Sequence, residues 1–102
     1  MEVIVVRFKV RAEALDRAET VIEDFIRVVK ERDPAVLEYQ SLQDKNDPSV
    51  FLHYVQFQDE GSHRSHRQTQ HVKNFVRKLY PLCEDDPKVQ PFVVFASAKN
   101  GS

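Results

Sequence analysis

The groups able to move protons near neutral pH are few. Four histidines (His53, His63, His66 and His71) stand beside three tyrosines (Tyr39, Tyr54 and Tyr80) and one cysteine, Cys83. Imidazole is the side chain whose ordinary pKa lies between about 5 and 8, so histidines lead any search for a general acid or base. His63 and His66 stand at i,i+3, a spacing that one helix face can present. No cysteine or carboxylate stands at a matching spacing beside them, so no metal site is expected. His63 reads as a solvated helix residue. His53 lies between Phe51 and Val55 on an alternating segment. It reads as a hydrogen-bonded core or interface residue or, facing a ligand, as a substrate contact. The tyrosines could donate hydrogen bonds, although amphipathic packing also accounts for them. Cys83 has no histidine close in sequence and reads as a small buried residue rather than a nucleophile.

Other chemistries lack their residues. Gly61 and Gly101 are the only glycines, so phosphate-cradling and dinucleotide-binding loops are absent. A single cysteine excludes an internal disulfide and a cysteine-rich zinc module. Arg64, Arg67, Lys73, Arg77 and Lys78 make one segment basic, which reads as a solvated face with RNA or an anionic ligand as its alternative. The net charge is −1, from 15 Lys+Arg against 16 Asp+Glu, and the pI is near 6.4. That balance argues against a general nucleic-acid binder, and no aromatic RNA-stacking signature sits on the strands. No apolar run approaches the roughly 18 residues of a membrane span. The opening MEVIVVRF lacks the form of a signal peptide, so cytoplasmic residence is expected. The Asn100-Gly101-Ser102 sequon would matter only in a secreted chain. At 102 residues, 41% hydrophobic and 30% charged, the chain suits one domain (residues 1–98) with a small core and a short tail (99–102).

The elements that must carry these residues follow from periodicity. Glu2–Val10 alternates and is rich in β-branched residues, with Ile4, Val6, Phe8 and Val10 on one face and Val3, Val5, Arg7 and Lys9 on the other. From about Glu13 to Arg32 the period becomes helical, with a stripe of Ala14, Ala18, Val21, Ile22, Phe25, Ile26 and Val29. Glu13/Arg17, Glu23/Arg27 and Arg27/Glu31 stand at i,i+4 opposite it. Pro34 ends this helix. Val36–Gln43 and Val50–Phe57 read as strands joined by the turn Asp44-Lys45-Asn46-Asp47-Pro48, an antiparallel hairpin. A second helical region spans about Glu60 to Tyr80, and a last strand is expected over Val89–Ala98. Within the second region the stripe Val72, Phe75, Val76, Leu79 runs out of phase beyond Gln68. A break at Gln68-Thr69-Gln70, with Thr69 capping the second piece, would let His66 and His71 face inward from either side.

The order β-α-β-β-α-β defines an α+β, ferredoxin-like fold: a four-stranded antiparallel sheet with helices on one face. The opposite face also carries large apolar residues. A sheet apolar on both faces needs a second cover, and another copy packed sheet to sheet is the economical one.

Three stretches of the chain resemble the antibiotic-biosynthesis monooxygenase family, whose members are small dimeric α+β barrels and include quinol monooxygenases. Asp33-Pro34-Ala35-Val36-Leu37-Glu38-Tyr39 is similar to the family's acidic–Pro–Gly–Cys–Leu–x–Tyr segment. Ser49–Asp59 is similar to its third strand, and His66–Phe75 to its His–x–x–(Ser/Thr)–x–His–x–x–x–(Phe/Tyr) run. Ala35 and Val36 depart from the usual Gly-Cys, Val55 from a frequent Glu, and Phe57 from a frequent Trp. The haem-degrading members differ further: they carry Asn on the first strand, Trp at the position of His66 and a haem-ligating His at about Val76.

The resemblance implies a homodimer, an apolar pocket between sheet and helices in each subunit, and a small aromatic ligand. In the oxygenase members an activated phenol or quinol itself reduces O₂, with no cofactor or metal. It implies His66 as base or hydrogen-bond partner, with His71 orienting it or holding the helix break. Phe57 and Phe75 would be walls, Tyr39 a polar contact, and His53 a further residue facing the ligand. The alternatives on the same scaffold are a non-catalytic ligand-binding or stress-related protein, and an isomerase.

Overall fold

The computed structural model describes residues 1–99; the sequon at the C-terminus lies outside them. The elements run β1 (Glu2–Lys9), α1 (Leu15–Arg32), β2 (Val36–Gln43), β3 (Val50–Phe57), α2 (Glu60–Arg67), α3 (Gln70–Leu79) and β4 (Lys88–Val93). Short 3₁₀ turns precede α1 and follow α3. The strands form one antiparallel sheet in the order β2-β3-β1-β4, the ferredoxin-like arrangement expected.

Alternation decides which side of the sheet meets the helices. On β3 the residues Phe51, His53, Val55 and Phe57 are all buried while their neighbours are half-exposed. They face Ile4 and Phe8 of β1 across the ladder. From α1 the stripe of Ala18, Ile22, Phe25 and Val29 closes over them, and from α3 Phe75 and Leu79 do so. The buried side chains form two clusters. The larger is built around Phe8, Phe25, Phe51, Phe75 and Leu79. The smaller joins Ile4, Val55 and Phe57.

The hairpin turn is held by side chains. Asp44 Oδ1 accepts from the backbone N–H groups of Asn46 (2.7 Å) and Asp47 (3.2 Å). Asp47 Oδ1 accepts from the Ser49 hydroxyl at 2.6 Å. This is the Asx-turn chemistry that makes Asp and Asn turn formers.

The second helical region is broken where the apolar phase requires. Thr69 is the N-cap of α3, its side chain accepting from the Val72 N–H (3.3 Å) and its hydroxyl donating to the His66 carbonyl at 2.8 Å. One hydroxyl thus closes the end of α2 and opens α3.

Two expectations are corrected. The last strand ends at Val93, not Ala98. Its only partner is β1, whose first paired residue, Glu2, lies opposite Val93. No described residue beyond Val93 is part of a strand. The i,i+4 pairs on α1 are also replaced, among the described residues, by Arg27 to Asp24 at 2.7 Å and Arg11 to Glu13 at 3.1 Å.

Replacing Thr69 with alanine removes both bonds at the break. Thr69→Ala should lower the unfolding free energy by about 1 kcal/mol, and Thr69→Ser should retain most of it. Urea denaturation of the two variants checks this, and an unchanged alanine midpoint would contradict the bracing role.

Candidate functional site

A cavity of about 310 Å³ lies between the sheet and the helices. Its lining draws on both core clusters: Ile4, Val55 and Phe57 from one, Phe8, Phe25, Phe75 and Leu79 from the other. Val6, partly buried in the middle of β1, packs against both clusters and also borders this space. His53, His63, His66, Arg67 and Tyr39 also reach it. Such a mostly apolar cleft with a few polar groups is the usual form of a small-molecule site.

The walls are aromatic. Phe25 and Phe75 stack at 4.0 Å and 11°. Tyr39 meets Phe25 edge-on at 5.5 Å, and Phe57 lies 5.3 Å from the His66 ring. Phe57 and Phe75 therefore line the cavity as expected.

His53 is almost fully buried. Its Nδ1 is 2.8 Å from the Tyr39 hydroxyl and its Nε2 is 2.9 Å from the Ser41 hydroxyl. Burial depresses its pKa to about 4, so the ring is neutral, donating through one nitrogen and accepting through the other. Burial likewise raises the Tyr39 hydroxyl well above its ordinary value. Both residues border the cavity, but their polar atoms are committed to each other and to Ser41.

His66 and His71 converge on one atom. Asp33 Oδ2 lies 2.6 Å from His66 Nδ1 and 2.7 Å from His71 Nε2. Each residue is placed by a helix end. Asp33 caps the C-terminus of α1, just before Pro34; His66 lies in the last turn of α2 and His71 in the first turn of α3. Burial alone would raise the Asp33 carboxyl, but the hydrogen bonds from His71 and His66 and their charges outweigh it, leaving its pKa below the usual value. For His66 burial wins over the stabilising carboxylate, and its pKa is lowered. The resting arrangement is thus an ionised Asp33 beside a neutral His66.

The cavity is bordered by His66 but not by His71. His71 faces a separate outer groove with Val21, Asp24, Asn74 and Lys78. The two histidines do meet from either side of the break, but they meet through Asp33. That carboxylate has no signal in the spacing of the histidines; only its place in the Asp33-Pro34 segment hinted at a fixed helix end. The three ligating atoms lie within 4.8 Å of one another, which supplies the carboxylate that the histidine spacing lacked. Both nitrogens, however, aim at the same carboxylate oxygen at hydrogen-bond distance, an arrangement of shared protons rather than three ligands turned toward one cation.

His63 departs from the solvated reading. It is half-buried, packs 4.9 Å from the Phe57 ring and lines the cavity with the exposed Arg67. Its position three residues before His66, on the same helix face, was the available signal. Cys83 is buried, with its thiol raised by burial and donating to the Leu79 carbonyl. Arg64, Arg67, Lys73, Arg77 and Lys78 are all exposed. Among the described residues no helix is long and apolar enough to cross a membrane.

The sheet order, the helices on one face and the cavity between them define a small α+β protein of the ferredoxin-like class with an enclosed aromatic site. The chain belongs to the antibiotic biosynthesis monooxygenase family, whose model matches residues 1–78. Solved structures share its fold. One of an antibiotic biosynthesis monooxygenase superposes with a TM-score of 0.86 at 19% identity, over 94% of this chain and 100% of that one. A protein of Mycobacterium tuberculosis superposes with 0.87 at 13%, over 96% and 98%. A conserved protein of Methanosarcina mazei gives 0.82 at 16%, over 89% of each. No curated protein matches the chain.

The buried imidazole of His53 has a consequence for stability. The unfolded chain takes up a proton at this residue below about pH 6.5, whereas the native ring resists until about pH 4. Stability should therefore fall as pH drops through that window, by roughly 3 kcal/mol from this group. Asp33 adds a further loss below pH 3.8, as its depressed carboxyl is finally protonated. Urea midpoints at pH 7 and pH 4.5 measure the loss, to which the lowered His66 and His63 also contribute, and His53→Asn should reduce it. Equal midpoints in the native chain would contradict it.

Proposed function

We propose that this protein is a cofactor-independent monooxygenase that oxidises a small phenol- or quinol-type aromatic with O₂ in the cavity between sheet and helices. The observation that carries this reading is a neutral His66 on the wall of an otherwise apolar, aromatic-lined space. Such a ring accepts a phenolic proton, and the resulting phenolate is electron-rich enough to reduce O₂ directly. The overall change converts an activated CH₂ (the keto tautomer of the phenol) and O₂ to a carbonyl and water. Electrons leave the phenolate for O₂, a C–O bond forms, and the peroxide takes back a proton from His66. With His66 neutral again, loss of water, its proton from the same carbon and its hydroxide from the broken O–O bond, leaves the carbonyl. The cavity contributes orientation and exclusion of water.

His66→Ala should reduce turnover by about 10²- to 10⁴-fold with the fold intact. O₂ uptake by the metal-free protein with anthrones, naphthoquinols and catechols, above the autoxidation blank, measures it. Undiminished uptake by the variant would remove His66 from the reaction. Val55 and Phe57, where relatives carry Glu and Trp, favour a second reading as a binding protein. That reading predicts ligand-dependent thermal shifts without product, whereas an isomerase would give product without O₂ uptake.

We infer further that the chain forms a homodimer through its open sheet face. Leu42 and Phe92 project there, 46% and 45% exposed, and the chain beyond β4 carries exposed Val94 and a fully exposed Phe95. Together they leave apolar surface open on a sheet face that no helix of the chain covers. Light scattering after gel filtration should give about twice 11.9 kDa, and Phe92→Lys should shift the mass toward one chain. A monomeric mass for the native protein would exclude the pairing.

A further inference from the structure

The cavity's inner polar groups are nearly all consumed by the protein. Tyr39 and Ser41 hydroxyls occupy both nitrogens of His53. Arg67 is exposed and His63 half-buried, both on α2. Of the two buried histidines that border the cavity, His53 and His66, one ring nitrogen is without a hydrogen-bond partner: Nε2 of His66. Its other nitrogen, Nδ1, is 2.6 Å from Asp33 Oδ2.

An ionised carboxylate can only accept. Both nitrogens that touch Asp33 Oδ2 must therefore donate, Nδ1–H from His66 and Nε2–H from His71. A neutral imidazole carries one N–H, so committing it to Nδ1 leaves Nε2 of His66 as a bare acceptor. Free histidine in water favours the opposite tautomer, with the proton on Nε2. The protein thus reverses the intrinsic preference, and the group responsible is Asp33. His71 supplies the second donor to the same oxygen and holds the carboxylate from outside the cavity, where it faces the outer groove.

We propose that Asp33 is a positioning residue that fixes His66 as a hydrogen-bond acceptor toward the cavity, so that the site selects aromatic ligands bearing a hydroxyl donor. This rests on reading the cavity as the ligand site, and it specifies the end of the ligand that enters first. An aryl ether or an aryl ketone of the same shape presents only acceptors and meets a lone pair. The discrimination comes from two acceptors facing each other in a mostly apolar site, where such a mismatch is costly.

Two measurements without O₂ turnover test this. Long-range ¹H–¹⁵N correlation spectra of the labelled protein at pH 7 report the protonated nitrogen of each histidine. His66 should be protonated on Nδ1 and His71 on Nε2. Calorimetric titration under argon should show 1-naphthol binding about tenfold more tightly than 1-methoxynaphthalene. In Asp33→Asn the amide can donate to Nδ1, so His66 should revert to the Nε2–H tautomer and the preference for naphthol should vanish. An Nε2-protonated His66 in the native protein, or equal affinity for the two naphthalenes, overturns the proposal. Should Asp33→Asn not fold, the native spectrum and ligand pair still decide. Failure here leaves O₂ uptake untouched, and absence of O₂ uptake leaves the tautomer and the ligand preference standing.

Discussion

A carboxylate removed from water costs several kcal/mol unless its lone pairs are met, and Asp33 is buried at the least favourable end of a helix. The C-terminus of α1 already carries partial negative charge from its open carbonyls. What makes the position tenable is the pair of imidazole donors that reach Asp33 Oδ2 at 2.6 and 2.7 Å. They come from opposite sides of the break between α2 and α3, so one oxygen joins three helix ends. The break therefore has two supports, the Thr69 hydroxyl along the chain and the Asp33 carboxylate across it. Take the carboxylate away and the two imidazoles lose their partner together, while α3 keeps its contact with α1 through the Phe25–Phe75 stack.

The same constraint shapes the space beneath. The region is two helices divided at Gln68-Thr69 rather than one. Val6 packs at the junction of the Phe8 and Ile4 clusters and borders the cavity there. His66 stands at the wall because its own helix ends there. An apolar surround keeps its ring neutral, and a neutral ring is the form that can take a proton from a weakly acidic hydroxyl. The structural anchor and the chemically active group are the two nitrogens of one ring.

How much of this could be read from residues alone depended on range. The hairpin, the alternation of β3 and the Thr69 break rest on neighbours in sequence, and each was legible. The break was visible because the stripe Val72-Phe75-Val76-Leu79 falls out of phase before it. Asp33 was legible only as the end of a helix. Its role depends on histidines far along the chain, and no spacing rule connects them. His63 looked like surface because helix periodicity does not reveal the Phe57 ring across from it. The end of β4 was not legible for a related reason: the apolar pattern to Ala98 is a property of the segment, whereas a strand also needs a bonded partner, and the last pair is Glu2 with Val93.

The order of the sheet carries an implication for synthesis. β1 emerges first and occupies an interior place, between β3 and β4. On the ribosome it stays bare on both edges until those later strands exist, and β4 comes almost last. At about 5–20 residues per second that delay is roughly 5–20 seconds. For about its first half, before β3 exists, the Val3–Val6 segment is an unpaired, uncharged β-former of the kind that seeds aggregation, and one edge stays open until β4 arrives. Arg7 and Lys9, at its far end, are the only charges placed within the strand's second half to discourage that fate.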